Sequence, residues 1–265
     1  MKTVLITGVS GGIGLEIADK FIKEGYTVFG LDINEPKEIE NLNFIKTNLT
    51  KEEDVVNAFN QIKEKGYTLD HIICTAGVYE LNSLVEMKEE DFIRVFDVNV
   101  FSLYRVNKIF LPLLNKKSKI IMISSELGPL DPLPFTGIYG ISKTLVEKYA
   151  YSLRMELQLL DYQVVLIRPG AIDTGMIDIS LKKIEKFNQE TKYYKYNANK
   201  FLKIVNSVES KKIPPFKLAK LIYKVSQKKK AKYVYKINRN PLLMLLNILP
   251  QHFQNWIIKK ILTSK

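Results

Sequence analysis

Short apolar runs alternate with longer segments of helical period along most of the chain. Six runs have the length and composition of buried strands, and they lie at residues 4–6, 28–29, 44–45, 71–73, 119–123 and 164–167. Four segments between them repeat apolar residues at helical spacing, and they lie at residues 13–23, 51–65, 88–114 and 139–160. The pattern therefore predicts strands and helices in alternation.

This alternation predicts the fold class. Parallel strands need crossover connections, which helices provide while they cover both faces of the sheet. With right-handed crossovers, the expected architecture is α/β, a doubly wound parallel sheet of Rossmann type. We predict a single domain over residues 1–265, with the cofactor and catalytic core in residues 1–180. Residues 181–265 are expected to form a C-terminal helical extension that includes a substrate lid and a basic amphipathic end.

Charge is distributed unevenly between these two parts. Residues 1–180 contain 19 Lys and Arg against 25 Asp and Glu, whereas residues 181–265 contain 21 against 3. Two interpretations stay open: the basic end contacts an anionic surface or ligand, or it is a solvated face. Nucleic acid is not the expected partner, because arginine is scarce there, with only Arg239, and no known nucleic-acid-binding module accompanies the lysines.

Several other classes of protein do not fit the composition. The single Cys74 excludes an internal disulfide, and the isolated His71 and His252 give no metal-ligand spacing, so we expect no metal. The apolar stretch at residues 241–250 is far shorter than the roughly 20 residues of a membrane span. The first apolar run begins too early for a secretory leader, and we expect a cytoplasmic setting.

A glycine-rich turn between the first strand and the first helix predicts a dinucleotide site. Glycines allow a tight turn and close approach of the backbone to a pyrophosphate, whose charge suits a helix N-terminus. The residues expected to contact the cofactor here are Thr7, Gly8, Ser10, Gly12, Ile13 and Gly14.

The spacing T-G-x-x-x-G-x-G resembles that of the short-chain dehydrogenase/reductase family, classical type, and the resemblance extends from residue 1 to about residue 180. Asp32 ends the second predicted strand, where a carboxylate can accept hydrogen bonds from ribose hydroxyls and repel a 2′-phosphate, so NAD(H) is expected over NADP(H). Two places depart from the family pattern. Asn48, followed by Leu49, replaces an aspartate near the adenine, and Cys74-Thr75-Ala76-Gly77 replaces the family's N-N-A-G turn.

Tyr139 and Lys143 form a Y-x-x-x-K pair that one helix face can present to one pocket. A tyrosine ordinarily loses its proton near pH 10, so acid-base work near neutrality needs a nearby cation, which Lys143 can supply. Upstream, a strand ends in Ser124-Ser125-Glu126-Leu127-Gly128, which matches the family's S-S-x-x-G pattern and selects Ser125. Ser124 remains the rival, because neighbouring strand residues point in opposite directions.

The resemblance implies further site residues and a reaction. Asn99 matches the asparagine of a water-linked proton relay, and the loop from Arg168 to Thr174 matches the one that holds nicotinamide. Its expected cofactor contacts are Pro169, Gly170, Ile172 and Thr174. The implied reaction interconverts an alcohol and a ketone or aldehyde, with Tyr139, Lys143, Ser125 and Asn99 as catalytic residues.

The segment after this loop is expected to choose the substrate. Residues 176–208 mix aromatic side chains with lysines, which suits either a mobile lid over an apolar pocket or a surface excursion with no specific ligand. As a lid, the segment predicts a hydrophobic, steroid-like or lipid-like substrate. The alternatives are a small polar carbonyl compound, or a dinucleotide-binding regulatory or scaffold protein. The last 25 residues have apolar faces with basic edges, which suit peripheral membrane contact or packing on the core or on a second subunit. By resemblance alone, we expect a homodimer or homotetramer.

Overall fold

The computed structural model describes residues 2–37, 39–209 and 211–264, and for residues 176–181 and 206–209 it describes the backbone alone. Seven strands in this part of the chain form one parallel sheet in the order β3-β2-β1-β4-β5-β6-β7. They are β1 (Thr3–Thr7), β2 (Thr27–Asp32), β3 (Leu42–Lys46), β4 (Leu69–Cys74), β5 (Leu114–Ile123), β6 (Gln163–Pro169) and β7 (Val234–Ile237). This confirms the predicted doubly wound parallel sheet.

Helices cover both faces of the sheet and extend beyond it. They are α1 (Gly12–Lys23), α2 (Glu52–Glu64), α3 (Glu89–Phe96), α4 (Ser102–Phe110), α5 (Gly137–Leu157), α6 (Gly175–Glu190), α7 (Lys195–Glu209), α8 (Pro215–Ser226), α9 (Pro241–Leu246) and α10 (Gln251–Thr263). Helices α1 and α8 bury one face of the sheet, and α2, α4 and α5 bury the other. A third apolar cluster joins α6, α7 and α10 around Phe135.

The helix predicted over residues 88–114 is interrupted, which corrects the sequence-based prediction. A π-helical turn, Asp97–Phe101, separates α3 from α4, and a 3₁₀ turn, Leu111–Leu113, precedes β5. The π-helical turn holds Asn99, whose amide binds backbone groups outside the helix. Pro112 lies in the 3₁₀ turn, where its missing N–H and its ring oppose continuation of the helix.

The predicted start of β5 was also wrong. Strand β5 begins at Leu114 rather than at residue 119, because Leu114 pairs with Leu69 of β4 despite the polar residues that follow it. Helices α6 and α7 begin the C-terminal extension, which was expected to be helical. Phe135 contacts the rings of Phe187, Tyr194 and Phe201 at centroid distances of 5.1, 5.3 and 5.4 Å, so aromatic packing stabilises these two helices.

The basic end of the chain belongs partly to the core. Strand β7 pairs with β6, and the side chains of α8 that pack against α1 are buried. Helix α10 lies against α7, where the Asn197 side-chain amide donates to the Leu262 carbonyl at 2.9 Å. In the described residues, no helix is both long enough and apolar enough to cross a membrane.

Candidate active site

The glycine turn leaves the carboxyl end of β1 and enters α1. Gly8 has a φ of +70°, and a Cβ there would lie 2.7 Å from the backbone of Ala76, so a side chain is excluded twice over. A Cβ on Gly14 would lie 2.1 Å from the Gly8 carbonyl oxygen. The turn therefore depends on glycine, and it brings the Thr7 carbonyl, the Ala76 backbone and the start of α1 together.

The start of α1 is open to an anion. Its N-cap residue is Gly11, and no side chain caps the first turn. The first N–H groups of a helix lack partners within the helix, and they suit a phosphate. A Cβ on Gly12 would lie 3.0 Å from the Thr174 Cγ2 atom. Because glycine has no side chain, the gap between this turn and Thr174 stays unfilled.

Asp32 lies beside this turn at the end of β2. Its carboxylate accepts from the Ser10 backbone N–H at 3.0 Å and from the Asn34 N–H at 3.2 Å, while the Ser10 hydroxyl donates to the Asn34 carbonyl. These contacts hold a negative charge next to the glycine turn. Among the described residues, no salt bridge reaches that carboxylate.

The two departures from the family pattern have local structural roles. The Asn48 side-chain oxygen accepts from the Thr50 N–H at 3.1 Å and from its hydroxyl at 2.8 Å, and Leu49 is nearly buried. The Thr75 hydroxyl donates to the Thr7 carbonyl at 2.7 Å and so ties β4 to β1. Contact of Asn48 or Leu49 with an adenine stays a prediction.

Gly77 faces Asn99 and Lys143. A Cβ at this position would lie 3.2 Å from the Asn99 Oδ1 atom and 3.5 Å from the Lys143 Nζ atom. The neighbouring Cys74 is buried, and burial raises the pKa of its thiol to about 12. A thiol in that state is a poor nucleophile, so Cys74 acts as a small buried apolar residue.

Ser125 and Tyr139 meet at the floor of a cavity. The two hydroxyls are hydrogen-bonded, and the Ser125 Oγ atom also accepts from the Leu127 N–H at 3.2 Å. The Ser124 hydroxyl points elsewhere: it is buried without a hydrogen-bond partner and lies 2.7 Å from where a Cβ on Gly128 would stand. The structure therefore brings Ser125, not Ser124, to Tyr139.

Lys143 lies one helical turn beyond Tyr139 on α5. Its ammonium donates to the Ile123 carbonyl at 3.1 Å and lies 5.6 Å from the centroid of the Tyr139 ring. Burial lowers the pKa of Lys143 to about 8. The nearby Glu147 carboxylate has the opposite, smaller effect and raises this pKa.

Burial raises the pKa of Tyr139 to about 12, although its hydrogen bond with Ser125 lowers it. The sequence suggested that Lys143 would lower this pKa, whereas burial is the largest influence on it. The phenolate would be buried beside the Glu126 carboxylate, which also raises the Tyr139 pKa.

Asn99 is held by three hydrogen bonds. Its Oδ1 atom accepts from the Val78 N–H at 2.7 Å, and its Nδ2 atom donates to the Val78 carbonyl and to the Ser142 hydroxyl, both at 3.0 Å. The π-helical turn thus places a buried polar side chain against the strand end that leads to Gly77. Such turns inside α-helices are frequent at functional sites.

The loop after β6 borders the same cavity. Ile13, Pro169, Gly170, Ile172 and Thr174 all line it. A Cβ on Gly170 would lie 1.8 Å from the Asn238 carbonyl oxygen, so this glycine lets the segment after β7 pack directly against the loop. Each residue that the sequence assigned to nicotinamide therefore lies where the cavity and the glycine turn meet.

Two charged residues of the site were missed by sequence reasoning as functional candidates. The Glu126 carboxylate lines the cavity and accepts from the Asn240 backbone N–H at 2.6 Å, and burial raises its pKa. Glu147, below Lys143, forms a two-pronged ion pair with Arg168 at 2.9 and 2.6 Å. The i+4 spacing from Lys143 to Glu147 was the available signal, because it places both residues on one face of α5.

The cavity, about 200 Å³ in volume, has a polar floor and apolar walls. The walls come from segments far apart in sequence, namely Leu133, Phe201, Ile204, Val205 and Leu243. Phe201, Ile204 and Val205 belong to α7, in the predicted lid. Of the other aromatic residues in the predicted lid, Phe187 is buried, and Tyr193 and Tyr196 are exposed. The side chain of Met176, where the predicted lid begins, lies outside the described residues.

These features can be compared with known proteins. The sequence model described as "short chain dehydrogenase" matches residues 2–184. The chain belongs to the short chain dehydrogenase family. A curated member, the 3-ketodihydrosphingosine reductase of Bacteroides thetaiotaomicron, is 29% identical over 247 residues, which cover 92% of this chain and 90% of the relative. This short chain dehydrogenase is accordingly an oxidoreductase.

Solved structures agree with the fold. A short chain dehydrogenase/reductase from Burkholderia phymatum in complex with NAD has a TM-score of 0.75 at 20% identity, and the match covers 97% of this chain and 95% of that one. ElxO with NADP bound has a TM-score of 0.70 at 25% identity, covering 89% and 96%. Proteins of this fold thus bind either dinucleotide, and the open turn at α1 with the cleared space at Gly12 fits such a ligand in this short chain dehydrogenase.

Proposed function

We propose that this short chain dehydrogenase uses NAD(H) to interconvert an alcohol and a ketone or aldehyde on a hydrophobic substrate. The observation that carries the proposal is the composition of the cavity: Tyr139 and Ser125 form a polar floor, and the walls above them are aliphatic and aromatic side chains. Such a pocket favours a substrate with one polar reacting group and an apolar body. The Bacteroides relative, whose name gives a keto compound as its substrate, supports a carbonyl substrate.

The proposed roles follow from the contacts at the cavity floor. In the direction of reduction, the Tyr139 hydroxyl gives a proton to the substrate oxygen, and its high pKa keeps it protonated beforehand. The Ser125 hydroxyl is close enough to Tyr139 to hydrogen-bond the same oxygen. The Lys143 ammonium stabilises the phenolate left behind. When bound, NAD(H) supplies or accepts the hydride.

Asn99 and Gly77 position Lys143. The Asn99 side chain fixes the Val78 backbone and Ser142, and the absence of a side chain on Gly77 leaves the space beside the Lys143 ammonium clear. Water in that space would connect Lys143 with solvent and return the proton to Tyr139. In oxidation, the same groups would act in the reverse order.

The preference for NAD(H) rests on Asp32. Its carboxylate is fixed by the Ser10 and Asn34 N–H groups beside the glycine turn, where it would accept from ribose hydroxyls and repel a 2′-phosphate. We expect NADH to bind at least tenfold more tightly than NADPH, measured by fluorescence titration. Asp32→Asn would remove that preference, whereas Asp70→Asn, which changes a carboxylate bonded to the Thr3 N–H, would keep it.

The reaction is tested by initial rates of NADH oxidation with steroid, long-chain and small polar ketones. Turnover of one hydrophobic class, lost by a factor of about 10² or more in Tyr139→Phe, would support the proposal. Tyr149→Phe is the matched control, because Tyr149 lies on the same helix and binds Asn107 away from the cavity. Preference for small polar ketones would contradict the substrate class, and NADH binding without turnover would favour a regulatory or scaffold protein.

A further inference from the structure

Helices α9 and α10 and the turn between them expose large apolar side chains to solvent. Leu242, Leu245 and Ile248 are 68%, 61% and 78% exposed, and Phe253 and Trp256 are 52% and 60% exposed. These five residues form what we call the docking face. Apolar side chains grouped on neighbouring helices at a protein surface mark an interaction site more often than scattered ones do.

Two exposed lysines lie on α10, the helix that carries Phe253 and Trp256 of the docking face. Lys259 and Lys260 are exposed on α10, and the Lys260 ammonium lies 5.0 Å from the Trp256 ring centroid. No Asp or Glu follows Glu209. Tryptophan beside lysine on an amphipathic helix is typical of a helix that lies in a membrane interface.

The docking face is held firmly in place from below. The Asp131 N–H donates to the Asn247 side chain at 2.7 Å, and the buried Gln254 side chain donates to the Asp131 carboxylate at 3.3 Å. Helix α10 is also bonded to α7 through Asn197. These hydrogen bonds attach the segment that carries the docking face to the loop at Asp131 and to α7.

The cavity lies directly behind this face. Leu243 lines the cavity wall, while its neighbour Leu242 and Leu245, on the same short helix, are exposed. Helix α9 thus separates the site from the surface by the thickness of one helix. A surface that covers the docking face would lie beside the cavity wall.

A second copy of the chain fits this face poorly. Pairing it with itself would bring Lys259 and Lys260 of the two copies together, with Asp131 as an acidic residue beside them, so the lysines outnumber the carboxylates and the pairing is unfavourable. Other exposed apolar side chains lie on α5 and beside or on α4, namely Phe101, Tyr104, Leu145 and Tyr151. Those helices carry charges of both signs, including Asp97 paired with Arg105, and they suit a second copy better.

We propose that α9 and α10 dock this protein peripherally on an anionic lipid surface, with the docking face in the headgroup boundary and the lysines against the headgroups. Neither helix is long enough to cross the bilayer. Apolar burial and attraction between lysines and anionic lipids contribute together, and both are needed for stable binding by a short segment.

Co-sedimentation with vesicles of phosphatidylcholine, with and without phosphatidylglycerol, tests the docking. We expect the full chain to bind anionic vesicles at least tenfold more strongly than neutral ones. The triple variant Leu242→Ser, Leu245→Ser, Ile248→Ser should lose at least tenfold in binding to the anionic vesicles. Lys259→Gln with Lys260→Gln should lose several-fold and mainly reduce the preference for anionic lipid.

The matched control is Leu159→Ser with Leu160→Ser, which removes exposed apolar side chains at the end of α5 and should bind as the unaltered protein does. NADH binding, measured on each variant, reports that the fold is intact and does not depend on the substrate. Failure of the unaltered protein to bind vesicles, or equal binding by the triple variant, would overturn the proposal. A dimer that the triple variant abolishes, without vesicle binding, would assign the face to a second copy instead.

Discussion

Glu147 and Arg168 form a buried ion pair below Lys143. Replacing either residue should destabilise the protein by a similar amount, but the two substitutions should shift the pH dependence of kcat/KM in opposite directions. Both side chains are largely buried and meet through two hydrogen bonds of 2.9 and 2.6 Å. Removing one partner from a buried pair costs about 3–5 kcal/mol, because the other charge is left without compensation. We expect losses in that range for Glu147→Gln and for Arg168→Gln in chemical denaturation.

The effect on the pH profile has a sign for each variant. The Glu147 carboxylate raises the pKa of Lys143, which burial lowers to about 8. Glu147→Gln removes this negative charge, so the Lys143 pKa falls further and the ammonium is lost at lower pH. Arg168→Gln leaves the carboxylate without its cation, so the Lys143 pKa rises. If reduction needs the ammonium, the alkaline limit of kcat/KM moves down in the first variant and up in the second.

The assay is kcat/KM for ketone reduction across pH 6 to about 10, chosen to bracket the Lys143 pKa. The unaltered protein should lose activity above a pH near 8. A double variant, Glu147→Leu with Arg168→Met, should recover most of the lost stability, because two apolar side chains leave no buried charge. Shifts of both single variants in the same direction, or no shift in either, would refute the electrostatic link between Glu147 and Lys143.

Three further predictions concern other parts of the fold. Gly170→Ala should lower the thermal unfolding midpoint by several degrees, because its Cβ would lie 1.8 Å from the Asn238 carbonyl oxygen, whereas Gly175→Ala, with open space around it, should be nearly neutral. Asn99→Leu should lower the free energy of unfolding by about 1–3 kcal/mol, because it leaves the Val78 backbone groups unpaired. It should also reduce kcat more than it changes KM, and equal changes in kcat and KM would contradict the positioning role of Asn99. Burial lowers the pKa of His71 to about 3, so between that pH and about 6.5 the unfolded state binds a proton that the folded state does not, and the free energy of unfolding should fall by up to about 1.4 kcal/mol per pH unit as pH decreases. His71→Phe should remove this contribution in chemical denaturation at a series of pH values.

Much of the central sheet could be predicted from the sequence because its signals are local. Apolar runs bounded by turns marked the strands, and the glycine turn gave the position of α1. The pair Tyr139 and Lys143 was visible because residues four apart lie on one helix face. Ser125 could be separated from Ser124 only by the match to Gly128, and the structure brings Ser125 to Tyr139.

Other features depend on contacts between distant parts of the chain. The π-helical turn exists where Asn99 binds Val78, and no short-range pattern indicates that contact. A helical extension was expected after residue 180, but the packing of α6 and α7 around Phe135 joins residues that are far apart in sequence. Leu243 reaches the cavity only because β7 and the segment after it return to the edge beside Gly170.

The pairing of β7 with β6 also bears on how the chain can be divided. The match to the family model ends at residue 184, yet the edge strand and the helix that covers α1 both follow it. A protein truncated at the end of the match would leave β6 without its neighbour and the apolar surface of α1 uncovered. We therefore expect residues 2–184 alone to fold poorly, and a shortened protein to need the chain at least through Ile237.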